Sequence, residues 1–316
     1  MAEEVLEQTL QTYLRLPFFD KGVALQGGEP LIAPQWVLER TAALAGGRAA
    51  LSLQTNGSLI TERLAAFLAE TGWLVGISLD GPKALNDAVR GNGAYAAAAR
   101  GIRLLERTGA DYNLLCVVSK ANVAHPLEVY RHLRDSFSSR HHQYIECTGP
   151  LEELAVTGEE WGNFLCALFD EWAQNDTETI SVRLFDSIFS LLVRGVPTLC
   201  SQSQTCRHHL VVDCDGSVYP CDFYVRGDLR LGNVMTHSWE EMLSSPVYER
   251  FAGAKRATLP QKCLGCEFLK FCAGDCPRNA RRLCDGWRRF FSHLLDSAMF
   301  AEIAASRILG QAHAPK

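Results

Sequence analysis

The stretch VALQGGEPLIAPQWVLERTAALAGGRAALSLQTNG, residues 23–57, contains a short β-rich run and a polar glycine turn. A segment with apolar residues at helical spacing follows, and then a second β-rich run. The unit repeats to about residue 150. The β-rich runs are VALQGG (23–28), LSLQTN (51–56), VGISLD (75–80), YNLLCVVS (112–119) and QYIEC (143–147). Between them lie PQWVLERTAALAGG, TERLAAFLAETG, YAAAARGIRLLERTG and PLEVYRHLRDSF, each with a helical apolar pattern. This alternation predicts a parallel sheet with helical crossovers, an α/β fold. The runs end in the turns GGEP, TNG, LDGP, SKAN and CTGP. Parallel α/β folds bind ligands at the carboxyl ends of strands, so these turns are the expected site. A barrel or partial barrel is the expected geometry; a doubly wound open sheet has the same periodicity.

Beyond residue 150 the character changes. Residues 158–194 read as helical, and from 196 the chain is cysteine-rich and irregular. A hairpin is expected in HLVVDCDGSVYPCDFY, where Asp215-Gly216 separates two alternating apolar runs. The tail, 287–309, reads as one amphipathic helix. Three units follow: 1–195, 196–286 and a C-terminal helical segment, 287–316.

Composition narrows the function. The 316 residues carry a net charge of −5, with 47% hydrophobic and 21% charged residues, as in globular proteins. A net negative chain favours neither nucleic acid nor anionic lipid as partner. MAEEVLEQTL lacks the basic-then-apolar order of a signal peptide, and no apolar run is long enough to span a bilayer. A cytoplasmic location is therefore expected, where cysteines serve as metal ligands or core thiols rather than disulfides.

Of the twelve cysteines, Cys116, Cys147 and Cys166 fall within the strand–helix part and read as small buried hydrophobes. The other nine occupy residues 200–284 in two groups, C-x5-C-x7-C-x6-C and C-x2-C-x5-C-x3-C-x7-C. A C-x2-C turn brings two thiolates to one metal, and soft thiolates select zinc, copper(I) or iron–sulfur clusters. Two zinc sites and two four-cysteine clusters would each leave one thiol over, so spacing alone does not choose between them. Cys214, beside the hairpin turn, is the expected odd one out. His208 and His209 read as solvent-facing loop residues rather than ligands.

The ordered set LQGGEP, SLQTNG, GISLDGP, NLLCVVS, GSVYPCDFY, RLGNV and CLGCEFLKFCAGDC resembles the anaerobic sulfatase-maturating enzymes. These are radical S-adenosylmethionine proteins with a C-terminal SPASM domain, and the resemblance runs from Met1 into the tail helix. It implies a partial (β/α)6 radical-SAM barrel without its first strand, then the SPASM domain and a C-terminal helix. It further implies two auxiliary 4Fe–4S clusters. Cys200, Cys206, Cys221 and Cys276 would hold the first, and Cys263, Cys266, Cys272 and Cys284 the second. Cys284 follows Cys276 more closely than the family pattern has it.

By the same resemblance Gln26, Gly27, Gly28 and Glu29 would line the methionyl part of S-adenosylmethionine, with Glu29 on its amino group. Ser78 and Arg90 would contact its ribose and carboxylate side. Family members oxidise a cysteine or serine of a target sulfatase to Cα-formylglycine, so the implied partners are a sulfatase-type polypeptide and an electron donor such as flavodoxin or ferredoxin. After hydrogen abstraction from Cβ, the substrate must lose a proton and one electron. Asp222, next to Cys221, is the expected base. The alternatives are a SPASM maturase of another peptide, a non-catalytic iron–sulfur module and a zinc-ribbon interaction protein.

One family feature is missing from these residues. The C-x3-C-x2-C motif that holds the S-adenosylmethionine-cleaving cluster does not occur; Cys272 and Cys276 are followed by Asn279, not cysteine. MAEEVLEQTLQTYL resembles the helix that follows that motif. The expectation is a start that falls just after it, as a fragment or a misassigned internal methionine, with a shortened non-catalytic relative as the alternative.

Overall fold

The computed structural model of the protein describes residues 1–149 and 152–312. Pro150, at the end of the CTGP turn, and residues 313–316 of the tail lie outside them. After a first helix, α1 (Glu3–Tyr13), all five β-rich runs form strands: β1 (Gly22–Leu25), β2 (Ala50–Thr55), β3 (Trp73–Ser78), β4 (Tyr112–Val118) and β5 (His141–Glu146). A sixth, β6 (Ser181–Val182), joins them. It pairs only through His141↔Ser181 and His142↔Val182 and leads directly into a helix, so it is too short to have a period of its own. Within 158–194 the helical reading therefore gives way to helix, strand and helix.

The six strands are parallel and ordered β1 to β6 without a reversal. A doubly wound sheet reverses its order at a switch point, so the partial barrel wall is the correct reading. Right-handed crossovers place the connecting helices on one face. These are α2 (Trp36–Ala45), α3 (Glu62–Glu70), α4 (Lys83–Arg90), α5 (Ala94–Thr108), α6 (Pro126–Ser136) and α7 (Gly158–Asn175), with α8 (Arg183–Arg194) after β6. Local chemistry sets their ends. The Thr61 hydroxyl accepts from the Leu64 N–H at 3.2 Å to start α3. Thr157 and Glu160 form a reciprocal capping box on α7. Leu53, Val75, Ile77, Leu114 and Val118 from the strands are fully buried beneath the helices.

The remaining chain is built on a small antiparallel sheet of β7 (Val211–Val212), β8 (Ser217–Tyr219) and β9 (Gly232–Asn233). The hairpin turns at Asp215-Gly216, where Gly216 adopts φ +83°. Helices α9 (Trp239–Leu243), α10 (Pro246–Ala257), α11 (Gln261–Leu264) and α12 (Leu269–Cys272) follow. The tail is two helices, not the single one expected: α13 (Cys284–Asp296) and α14 (Ala298–Ala312). Ser297 between them is extended, and its hydroxyl accepts from the Phe300 N–H at 3.4 Å. A serine at this position acts as an N-cap and restarts the helix. Helix α13 also crosses the expected boundary at 286.

Helix α13 packs closely on α7. Gly158 and Gly162 of α7 face Gly286 of α13; a Cβ on Gly162 would lie 2.8 Å from the Gly286 Cα. Three glycines thus let two backbones touch, and the contact fixes Cys284, at the start of α13, against the sheet domain.

Candidate active site at the mouth of the sheet

The carboxyl ends of the parallel strands open on one side of the sheet. At β1, Gly27 and Gly28 take φ +95° and +55°, and nothing lies within 4 Å of the position a Cβ would occupy on either. The backbone is therefore bare to the mouth in a conformation that favours glycine. The next residue, Glu29, is fixed by its neighbours. Its carboxylate accepts from the Thr55 hydroxyl at 2.6 Å and from the Asn56 and Leu31 N–H groups at 2.9 and 3.1 Å. Glu29 thus joins the ends of β1 and β2, pre-oriented toward any ligand amine.

Ser78 ends β3, partly exposed at the same mouth. Arg90 is not a free surface charge. Its guanidinium grips the buried Asp80 carboxylate at 2.6 and 2.9 Å, and Asp80 also accepts from the Val117 N–H at 2.8 Å. Two of its donor atoms are thus engaged in bracing the LDGP turn against β4.

Asp222 reaches this mouth from the cysteine-rich domain. Gln26 Nε2 donates to Asp222 Oδ2 at 3.1 Å, across 196 residues of sequence. The other carboxylate oxygen lies 3.3 Å from the Cys221 sulfur. A carboxylate beside a thiol of the first cysteine group therefore faces the glycine turn of β1. Phe223, the next residue, is covered by the Arg278 guanidinium at 3.8 Å from its ring centre.

A second polar centre sits at the end of β5. Asn279, buried, donates to Glu146 at 2.8 Å and to Asp275 at 3.0 Å, and accepts from the Thr148 hydroxyl at 2.7 Å. Burial raises the pKa of Asp275; burial, together with the Asp275 charge, raises that of Glu146. Like carboxyls held this close resist ionising together. Sequence reading noticed Asn279 only as a residue that is not cysteine. The one available signal was that CTGP, with Thr148, ends a strand.

The eight cysteines assigned by resemblance separate into two groups in space. Cys263, Cys266, Cys272 and Cys284 line one cavity, walled by Trp287 and Phe291. Cys284 is thus brought to the other three despite its short spacing. In the first group, the ionisation of Cys206 is opposed by Cys200, that of Cys276 by Cys200 and that of Cys221 by Cys276. Burial pushes the Cys221 thiol up to about 12 and Cys276 to about 11. Among the described residues, no three His, Cys, Asp or Glu side chains converge as around a single metal ion. Thiols arrayed around a space suit a multi-iron cluster, with a ligand at each iron, better than zinc, which draws four sulfurs to about 2.3 Å of one point.

Helix α10 supports the first group. The Cys206 N–H donates to the Ala252 carbonyl at 3.0 Å. Lys255, 3% exposed, donates to the Ser201 carbonyl at 2.6 Å. Burial lowers its pKa, and the neighbouring Cys206, Asp275, Cys276 and Cys200 oppose that. A buried cation among thiols offsets the negative charge they carry as ligands.

The other cysteines lie apart. Cys214 is exposed in the hairpin turn. Cys116 is fully buried, but Cys147 and Cys166 are only partly so; the first sits where β5 meets the mouth, the second on a helix flank. His208 and His209 are exposed and their rings lie 6.3 Å apart.

This geometry matches known proteins. Residues 1–133 match the Radical SAM superfamily, and residues 200–267 match SPASM, an iron–sulfur cluster-binding domain. A serine-type anaerobic sulfatase-maturating enzyme of Bacteroides thetaiotaomicron is 30% identical, over 93% of this chain and 81% of that protein. A cysteine-type enzyme of Clostridium perfringens is also 30% identical, over 93% and 86%. A solved structure, native anSMEcpe with bound AdoMet and Kp18Cys peptide, superimposes with TM-score 0.89 at 29% identity, covering 97% of this chain and 91% of that one. With barrel wall, cysteine-rich domain and overall sequence all in agreement over nearly its full length, the chain belongs to the anaerobic sulfatase-maturating enzymes, oxidoreductases of the radical SAM superfamily.

Proposed function

We propose that this protein takes part in oxidising a cysteine or serine side chain of a sulfatase-type polypeptide to Cα-formylglycine, with Asp222 as the base. The observation that carries the reading is the Gln26–Asp222 hydrogen bond, which brings a carboxylate of the cysteine-rich domain to the bare glycine turn of β1. When bound, S-adenosylmethionine supplies the radical that takes a hydrogen atom from the substrate Cβ, and an iron–sulfur cluster accepts the electron released afterwards.

The chain's own residues do the rest. Gly27 and Gly28 present bare backbone to the methionyl part, Glu29 receives its amino group, and Ser78 lies where the ribose would pass. Arg90 acts by bracing the turn that follows Ser78. Asp222, oriented by Gln26, takes the proton of the substrate thiol or hydroxyl. Cys200, Cys206, Cys221 and Cys276 would hold one auxiliary cluster, and Cys263, Cys266, Cys272 and Cys284 the other; two enclosed thiol groups support that division. No C-x3-C-x2-C motif occurs among the 316 residues, so none of them is assigned to the radical-generating cluster.

The test begins with the coding DNA upstream of the Met1 codon, where an in-frame C-x3-C-x2-C is expected. The protein encoding it, reconstituted anaerobically, should convert a sulfatase-derived peptide to the aldehyde, read by mass spectrometry. Asp222→Asn should cut that product by about 10²–10⁴-fold with iron content and 5′-deoxyadenosine formation retained. A stop codon directly upstream, with no aldehyde from the reconstituted chain, would overturn the enzymatic reading. Full activity in Asp222→Asn would overturn only the role of the base.

A further inference from the structure

Residues 255–289 hold nine lysines and arginines against three aspartates and glutamates, a local excess of six positive charges on a chain whose net charge is −5. Arg256, Lys262, Lys270, Arg282, Arg288 and Arg289 of this segment are exposed. The exposed acids among them are Glu267 and Asp285. The basic residues are not scattered relative to the thiols: Lys262, Arg281 and Arg288 line the same cavity as Cys263, Cys266, Cys272 and Cys284. That cavity also lies near the surface, for Leu264 and Gly265, between the first two of these cysteines, are exposed. The first thiol group, by contrast, adjoins Asp222 and the mouth.

We propose that the basic surface around Lys262, Arg281 and Arg288 is the docking site of an acidic one-electron carrier protein, which exchanges electrons through the second cysteine group. Charge complementarity favours such a partner. A compact positive patch on an otherwise negative molecule attracts a small acidic protein and orients it at the patch. A long polyanion such as RNA would extend beyond the patch onto negative surface. The exchange itself is simple: the reduced cluster loses one electron, and the oxidised flavin of the carrier gains it, with a solvent proton, to become the neutral semiquinone. The inference rests on the reading of these four cysteines as cluster ligands, but not on the identity of the peptide substrate.

The experiment mixes the dithionite-reduced, desalted holoprotein with an oxidised flavodoxin under anaerobic stopped flow, with no S-adenosylmethionine and no peptide. Iron content is measured beforehand. The second-order rate is expected to fall at least tenfold between about 0.02 M and about 0.2 M salt. It should fall by a similar factor at low salt in the exposed-site variant Lys262→Glu/Arg288→Glu, with iron content and cluster spectra unchanged. A rate indifferent to salt and to charge reversal, at full iron content, would overturn the docking site. So would equal reactivity with a basic one-electron carrier, or binding of single-stranded RNA that the same variant abolishes. A wild-type protein that retains only one cluster would overturn the assumption beneath it. Failure to make formylglycine would leave this rate, and the inference, unaffected.

Discussion

Gly162→Ala tests whether the α7–α13 contact is what holds Cys284 in place. The new methyl group would lie 2.8 Å from both the Cα and the carbonyl oxygen of Gly286. Carbon atoms in contact normally sit about 3.5–4.0 Å apart, so the helices must separate by about 1 Å. Both partners are backbone, and no side-chain rotation can relieve the clash. Overpacking of this kind costs about 1–3 kcal/mol, offset by up to about 1 kcal/mol from replacing a helical glycine with alanine. Net destabilisation is therefore modest, but the displacement falls two residues from Cys284.

The assay is iron and sulfide per chain after anaerobic reconstitution, alongside a thermal melt. Wild type should bind about eight irons in two clusters, and Gly162→Ala should lose up to half of them while remaining folded. Gly253→Ala is the control. Gly253 lies within α10 and has nothing within 4 Å of its Cβ position, so this variant should keep its iron and be slightly more stable. If Gly162→Ala kept the full complement and melted with the control, the contact would not be what positions Cys284.

Three further outcomes follow from the same structure. Cys284→Ala should remove about half the iron, whereas Cys214→Ala, in the exposed turn, should remove none; equal losses would refute the division of the thiols. Arg90→Gln leaves the Asp80 carboxylate buried without its partner and should cost about 3–5 kcal/mol in urea unfolding, with Asp80→Asn restoring much of it; a near-neutral single variant would refute the bracing role. His142 is buried and its pKa is lowered from 6.5 to about 4 by burial. The unfolded chain therefore takes up a proton below about pH 6.5 that the folded chain resists until about pH 4, so stability falls with pH across that window. At pH 5.5 the loss relative to pH 7.5 is about 1.4 kcal/mol. His142→Gln should lose that part of the pH dependence, and identical pH profiles would refute it.

Much of the fold could be read from single segments. Each β-rich run became a strand within a residue or a few of its expected ends, because apolar alternation and the turns that follow act over neighbouring residues. The Asp215-Gly216 hairpin was legible for the same reason. Where local signals were short or competed, the reading failed. The two residues of β6 carry no period, and Ser297 interrupts an apolar pattern that otherwise runs on.

What the sequence by itself determined is the strand–helix rhythm, the density of thiols between residues 200 and 284 and, through the order of its motifs, the family. The tertiary structure decided what meets what. It showed the unreversed strand order, and it brought Cys284 into the cavity of Cys263, Cys266 and Cys272. Asp222 reaches Gln26 across 196 residues, and Asn279 joins Glu146 across 133. The physical reason is the range of the forces involved. Backbone hydrogen bonding and apolar periodicity leave their pattern in consecutive residues, whereas a site is made where distant segments pack, and one glycine contact between two helices leaves no mark in either segment alone.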